Sequence, residues 1–319
     1  MLAFILRRLG QALLTLAGVM VLTFILFNFI AGDVSRHYLA RDPSPEDRAT
    51  WNAQHGFDKP KFINTDYAPW QGEFWDSQFT HHMVNSVTFK AKSLKFEDQT
   101  IAEIIIDRAP YSLALTVPAL GFGWCLGMSI SLMVAYYRDT WIDRTGVFLT
   151  VIGMCIPFLA YMIFGQWLVA QISPPLAWGY RNIHNVYIPI SIAVIAGLGG
   201  NVRFYRTIFL DEVQRDYVRT ARAKGASLGR VLFVHVLKNC MLPILTSLVM
   251  AIPFLIMGNL LLEQFFGIPG LGDLMLTSIS TRDIPMISAL TFLTAAIYVF
   301  GILITDLLYT VFDPRVRLN

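Results

Sequence analysis

The sequence predicts an all-α membrane protein with six transmembrane helices, and three observations carry that expectation. Hydrophobic residues make up 55% of the 319-residue chain and charged residues only 15%, whereas a soluble domain averages about a quarter charged. The mean hydropathy is +0.53. The apolar residues also fall in long charge-free blocks, and a spanning helix needs about 20 such residues. Charge-free windows lie between Arg8 and Asp33, Arg108 and Arg138, Arg144 and Arg181, Arg181 and Arg203, Lys238 and Glu263, and Asp283 and Asp306. They place spans near 9–31, 111–135, 145–170, 186–202, 241–262 and 287–310.

The first block follows Arg7 and Arg8, as the core of a signal peptide would. Its length exceeds the usual apolar run of about 7–15 residues and no small-residue cleavage site follows, so a retained helix is expected. Residues 1–32 then form an N-terminal transmembrane helix, 33–110 an external segment, and 111–319 a five-helix core with a loop at about 203–240. Lys and Arg set the orientation. Arg7, Arg8, Arg138, Arg144, the eight cations from Arg203 to Lys238, Arg315 and Arg317 all fall on one side. The opposite short loops hold only Arg181 and Arg282, so both termini are expected to be cytoplasmic. The external segment contains turn-rich "RDPSPED", the aromatic "APWQGEFW" and the basic "KAKSLK". Thr100 and Glu103 have capping-box spacing, which opens a short amphipathic helix leading into the second span. A tethered loop with a helical turn or two remains the alternative.

The 203–240 loop reads as two short helices. "DEVQRDYVRTARAK" is rich in helix formers, and Gly225 is placed to end it. Val213, Tyr217 and Ala221 recur at four-residue spacing and make one narrow apolar face. Ser227 is placed to cap a second helix running to Pro243, where the fifth span opens. A small-residue face flanked by cations suits a groove on another protein. The composition fits a topology signal attracted to anionic lipid equally well, at about 1 kcal/mol per cation.

Other motifs point away from catalysis. "GIPGLG" lacks the Lys-Ser/Thr of a phosphate cradle and reads as a tight turn before the last span. No Walker sequence, HExxH or serine-base pair occurs, so the chain is expected not to be an enzyme. Cys125, Cys155 and Cys240 show no metal or redox spacing and read as packing residues. His81 and His82 are adjacent and read as a solvated external pair. Asp306 near the end of the last span reads as a structural acid. Asn201, Asn259, Gln166 and Met257 either line a pathway or stitch helices together. No nucleic acid is expected among the partners.

The loop resembles the EAA loop of ATP-binding-cassette importer permeases in its peptide-transporter form. Arg219, Thr220 and Ala221 occupy the Glu-Ala-Ala places and Gly225 the Gly place, with Leu242 and Pro243 as a late Leu-Pro ending. "RRLGQALLTLAGVMVLTFILF", "HGFDKP", "EQFFGIPGLGDLMLTSISTRDIP" and "TDLLYTVFDPRVR" resemble, in order, four stretches of dipeptide and oligopeptide (peptide/nickel) permeases. The external match runs through Glu263, Phe266, Pro269, Gly270, Gly272, Arg282, Asp283 and Pro285. The stretch between Tyr38 and Ile101 departs from the pattern. The resemblance implies a type I importer permease of the bacterial inner membrane. Its ATPase-coupling residues would be Tyr217, Arg219, Thr220, Ala221, Arg222, Ala223, Lys224 and Gly225, within a 211–227 helix whose Tyr217 and Ala221 enter the ATPase groove. It implies as partners a second homologous permease, two cytoplasmic ATPases that use the ATP, a periplasmic solute-binding protein and the lipid membrane. No cofactor is expected on this chain. Peptides are the expected solutes, with nickel or glycosides as alternatives. An ion-coupled secondary transporter would need an intramembrane ionisable pair, for which only Asp306 is available.

Overall fold

A computed structural model describes residues 2–27, 35–39, 43–96, 98–172, 180, 183–257 and 260–312. Asp33, Arg181, Asn259 and residues 313–319 of the C-terminal stretch lie outside them. The helices are α1 (Leu2–Ile25), α2 (Ser35–Tyr38), α3 (Pro45–His55), α4 (Gln78–Thr88), α5 (Ile101–Tyr136) and α6 (Trp141–Cys155). They continue as α7 (Phe158–Ile172), α8 (Tyr187–Val213), α9 (Asp216–Ala223), α10 (Leu237–Met257), α11 (Leu260–Phe266), α12 (Leu271–Thr281) and α13 (Ile284–Phe312). Among the described residues the only strand-like pairing is an isolated antiparallel bridge between Lys92 and Thr100.

Four segments are long and apolar enough to cross a membrane: Leu6–Ile25, Ile101–Tyr136, Ile183–Val213 and Ile284–Asp306. The number rises to six when each of two bent helix pairs counts as one span. The third and fifth expected spans are those broken ones. α6 and α7 meet at 94°. The cause is Pro157, which disfavours a helical residue before it, and Ile156 is accordingly extended at φ −80°, ψ 120°. The fifth is bent by 66° between Arg230–Met241 and Pro243–Ala251, because Pro243 has no N–H for the helical ladder. Pro243 nevertheless does not separate two helices. The second loop helix passes through a π-turn at Arg230–Val236 and continues directly into α10.

Thr100 and Glu103 do form the capping box. Thr100 N donates to Glu103 Oε2 at 2.8 Å, and Glu103 N donates to Thr100 Oγ1 at 3.3 Å. The helix they open is not short. α5 runs unbroken for 36 residues, about 54 Å at 1.5 Å per residue, well beyond a hydrocarbon layer of about 30 Å.

One compact unit comprises residues 1–109 and 273–300. Phe24 of α1 is fully buried and meets Phe62 and Phe79 edge-on at 5.4 and 5.1 Å. His82 of α4 joins this contact, donating from Nε2 to the Met20 carbonyl at 3.2 Å. His82 is therefore half-buried against α1 and not solvated. Only His81 is exposed, and it donates to Asp76 at 2.7 Å. The expectation failed for His82 because its partners lie some sixty residues away in sequence.

A second unit comprises residues 110–272 and, of the described residues after 300, those from 301 to 312. α8 packs on α6 and α7. Gly199 allows a close approach to the α6 backbone, since a Cβ there would sit 3.0 Å from the Thr150 carbonyl and 3.2 Å from Met154 N. Without a hydrophobic drive between helices in lipid, such small-residue contacts supply the packing.

Burial holds the His82 imidazole below its ordinary value of 6.5, with the Met20 carbonyl opposing the shift. A folded-state pKa below the unfolded one gives stability that is complete above about 6.5 and is lost as pH falls through the folded value. Hydrogen exchange of the α4 amides, corrected for intrinsic rate, should therefore quicken as pH falls below about 6.5. His82→Gln should abolish that dependence. An unchanged pH response in the variant would remove His82 from the account.

Candidate functional site

α8 continues past the apolar block to Val213, so the expected helix from Asp211 is divided at Gln214 and Arg215, and α9 stands as a separate eight-residue helix. Val218 anchors it at 1% exposure. Tyr217, Ala221 and Val213 pack beside Val218 against Leu132 and Ala135 of α5, Phe209 of α8, Val231, Leu232 and Val236 of the π-turn, and Cys240 of α10. Burying a side chain such as Val218 contributes about 1.5–3 kcal/mol. The 213/217/221 face is therefore real and borders the chain's own core. Tyr217 and Ala221 are only partly buried there, so part of each side chain stays open beside the fully buried Val218.

The outward face carries Asp216, Arg219, Thr220 and Ala223, with Arg222 and Lys224 exposed at its edges. Arg219 approaches Asp216 at 3.8 Å with both side chains solvated, so this pair contributes little. Arg222 is held differently, its guanidinium lying 4.4 Å from the ring centroid of Tyr136 at the end of α5. Tyr217 Oη donates to Glu212 Oε2 at 2.8 Å. Burial first, and then Glu212, push the Tyr217 hydroxyl up to about 12, so it remains a donor.

Gly225 ends α9 as its position predicts. It has φ 78°, Gly225 N donates to the Arg222 carbonyl at 2.9 Å, and Ala226 N donates to the Ala221 carbonyl at 3.1 Å. This pair of bonds is the Schellman arrangement, and its left-handed residue is penalised in any side chain with a Cβ. The loop is also tied down by a pair that sequence reading missed. Asp143 of α6 receives Arg206 Nη2 at 2.7 Å and Nε at 2.9 Å. The two residues lie 63 positions apart, so no local pattern announces the pair.

The second group of candidate residues forms helix caps. Glu263 is fully buried and accepts from Ser112 Oγ and from Gly272 N, each at 2.7 Å. Ser112 Oγ in turn accepts from Leu271 N at 2.7 Å. Together the two side chains satisfy the first free N–H groups of α12. Pro269 and Gly270 form the turn before it, and a Cβ on Gly270 would lie 2.5 Å from both Glu263 Cδ and Ser112 Oγ. The Gly-rich stretch is thus a turn shaped around a carboxylate. At the other end of α12, Arg282 is exposed at φ 55°. Asp283, 1% exposed, caps α13 through Met286 N at 3.2 Å and receives Ser93 Oγ at 2.5 Å.

Asn201 Nδ2 donates to the Gly123 carbonyl at 3.4 Å and so stitches α8 to α5. Gln166 is buried on α7. No group of three or more His, Cys, Asp or Glu able to hold a metal occurs among the described residues. The acids and hydroxyls brought together here cap α12 and α13, so the arrangement positions helices. Gly270→Ala should displace the Glu263 carboxylate and cost about 1–3 kcal/mol through overpacking. Melting of the purified protein in detergent should show the loss. Unchanged melting would mean that the turn does not depend on this seat.

Residues 127–318 match the family described as binding-protein-dependent transport system inner membrane component, and residues 1–116 match the description of its N-terminal part. The chain is similar to the oligopeptide transport system permease protein AppB of Bacillus subtilis, at 30% identity over 99% of this chain and 100% of that one. It is also similar to a putative peptide transport system permease protein of Brucella abortus, at 28% identity over 99% of each chain. A third relative is the glutathione transport system permease protein GsiC of Salmonella typhimurium, at 30% identity over 99% of each chain. With its helices, its capped turn before α12 and its glycine-ended loop helix in place, the chain belongs to the family of binding-protein-dependent transport system inner membrane components.

Proposed function

We propose that this permease imports peptides or peptide-like solutes and takes its energy from cytoplasmic ATPases that seat on α9. The observation that carries the reading is the two-sided character of α9. Its inner face is fixed by Val218, Tyr217 and Ala221, while its outer face presents Asp216, Arg219, Thr220 and Ala223. A helix so held moves with its core. A push on its outer face is passed to α5, α8 and α10 together, because all three contribute to the same cluster. Closure of two ATPases around ATP would in this way turn the pathway from inward to outward facing. The residues offered to the ATPase are those of the outer face, with Arg222 and Lys224 at its margin.

The remaining partners follow from the family reading: a second homologous permease and a periplasmic solute-binding protein. Tyr67, Trp70 and Trp75 are exposed on the 33–110 segment, and aromatic residues are enriched at contacts, so this segment is the surface proposed for the binding protein. The solute class rests on the relatives named for oligopeptide, peptide and glutathione transport. The clustering of cations in the 203–240 loop supports a cytoplasmic position for that loop and for both termini.

Ala223→Glu should place an unpaired carboxylate in the ATPase contact, at a cost on the order of several kcal/mol. Co-purification of the ATPase and solute uptake should fall while the permease remains folded. Ala221→Glu should act differently, by lowering the melting temperature of the permease itself. Full uptake and normal ATPase association in the Ala223 variant would reduce the loop to a topology signal. Single cysteines at Trp70 and Thr220 test orientation in intact cells: the first should react with an impermeant thiol reagent and the second should not. Reaction at Thr220 alone would reverse the assigned sides.

A further inference from the structure

The 1–109 and 273–300 unit contains a cavity of about 340 Å³ that takes no part in the coupling or cap sites. It is lined by the end of α3 and the turn after it, by one face of α4 and by the first turn of α13, all within that unit. The volume lies at the lower end of the range for small-molecule sites, about 300–1,000 Å³. Three features distinguish it from a packing defect.

The first is a buried hydroxyl. Ser288 lines the cavity at 2% exposure, and its Oγ has no hydrogen-bond partner among the described residues. A buried polar group left unmet costs about 1–3 kcal/mol, which favours rotation of this side chain toward a partner held in the cavity. The second is the sign of the lining. It includes Lys59, His55, His81 and His82, the amides of Gln54, Gln78 and Asn85 and the hydroxyl of Ser86, and it contains no Asp or Glu. Asp76 lies outside the lining and receives Lys59 Nζ at 2.6 Å and His81 Nε2 at 2.7 Å, holding both side chains in place at the mouth. The third is an apolar wall formed by Ala53, Phe57, Ile284 and Pro285 beside those polar groups.

Several of the polar groups are already engaged. Gln78 Nε2 donates to the carbonyls of Phe57 and Lys59 at 2.9 and 2.6 Å, and His82 Nε2 donates to Met20. His55 Nδ1 donates to the Trp51 carbonyl at 2.8 Å. Among the described residues the donors left for a ligand are the amides of Gln54 and Asn85, the hydroxyl of Ser86, and that of Ser288 once its side chain turns toward the cavity. Any proton of Lys59 not directed to Asp76 or to His81 Nε2, 2.9 Å away, adds to them. A carboxylate accepts up to about four such bonds, and bonds to a charged acceptor are the strong ones. From this we infer that the cavity is a binding site for the carboxylate end of a small amphipathic solute, with the adjoining side chain against the apolar wall. The C-terminal residue of a peptide has this chemistry. The inference rests on the importer reading only for the source of the ligand, since the cavity and its donors stand independently of it.

The test uses the complete importer in lipid nanodiscs, with Ala53→Cys as reporter because Ala53 is exposed and supplies no donor. The native Cys125, Cys155 and Cys240 are replaced by alanine in the same protein. N-acetyl-dialanine should slow modification of the reporter by a small neutral thiol reagent, and N-acetyl-dialanine amide should not. Ser288→Ala and Asn85→Leu should each weaken protection by about tenfold, the loss expected for one charge-assisted hydrogen bond. Equal protection by acid and amide, no protection by either, or undiminished protection in both variants would overturn the site. Lost protection with peptide import intact would refute the site alone. Intact protection without import of any peptide would refute the importer reading alone.

Discussion

Backbone groups buried away from water must still be hydrogen-bonded, so each buried place where this chain leaves the helix must supply its own partner. The structure meets this constraint with side chains carried in from elsewhere in the sequence. Glu263 and Ser112 together cap α12, and Asp283 caps α13. A carboxylate with no exposure is costly unless every lone pair has a use, and here the acids receive hydrogen bonds from hydroxyls and backbone amides. Their charge also lies at helix N-termini, where the dipole favours an anion. The same constraint explains the empty Cβ position of Gly270: the carboxylate already occupies that space.

Proline acts on the same backbone from the other side. Pro157 divides α6 from α7 at a right-angled bend, and Pro243 bends the fifth span. Neither break is visible in an apolar window, because composition reports solubility in lipid and says nothing about direction. Pro110 and Pro118 show how context decides the matter, since both lie inside the unbroken α5.

The sequence revealed most where a signal was local. Charge-free windows located the apolar segments, the Thr100 and Glu103 spacing marked the start of α5, and Gly225 marked the end of α9. Signals that depend on distant partners were not legible. Ser93 meets Asp283 across 190 positions and Ser112 meets Glu263 across 151, and no pattern near either residue announces the pairing. His82 was misjudged for the same reason. The apolar face of α9 was detected correctly as a face, yet periodicity cannot say which surface will cover it. Leu132, Phe209 and Val231, which the fold brings beneath it, cover part of that face.

That partial cover sets the physics of force transfer through the loop. With Val218 buried and Tyr217 and Ala221 packed beside it, α9 is held along its length by an apolar cluster, and the ion pair of Arg219 with Asp216 contributes little to its retention. Packed cores of this kind do not deform continuously and move as bodies. Displacement of α9 therefore cannot be absorbed within the loop. It must pass to the ends of α5, α8 and α10, with the Arg222 and Tyr136 contact adding a second link to α5.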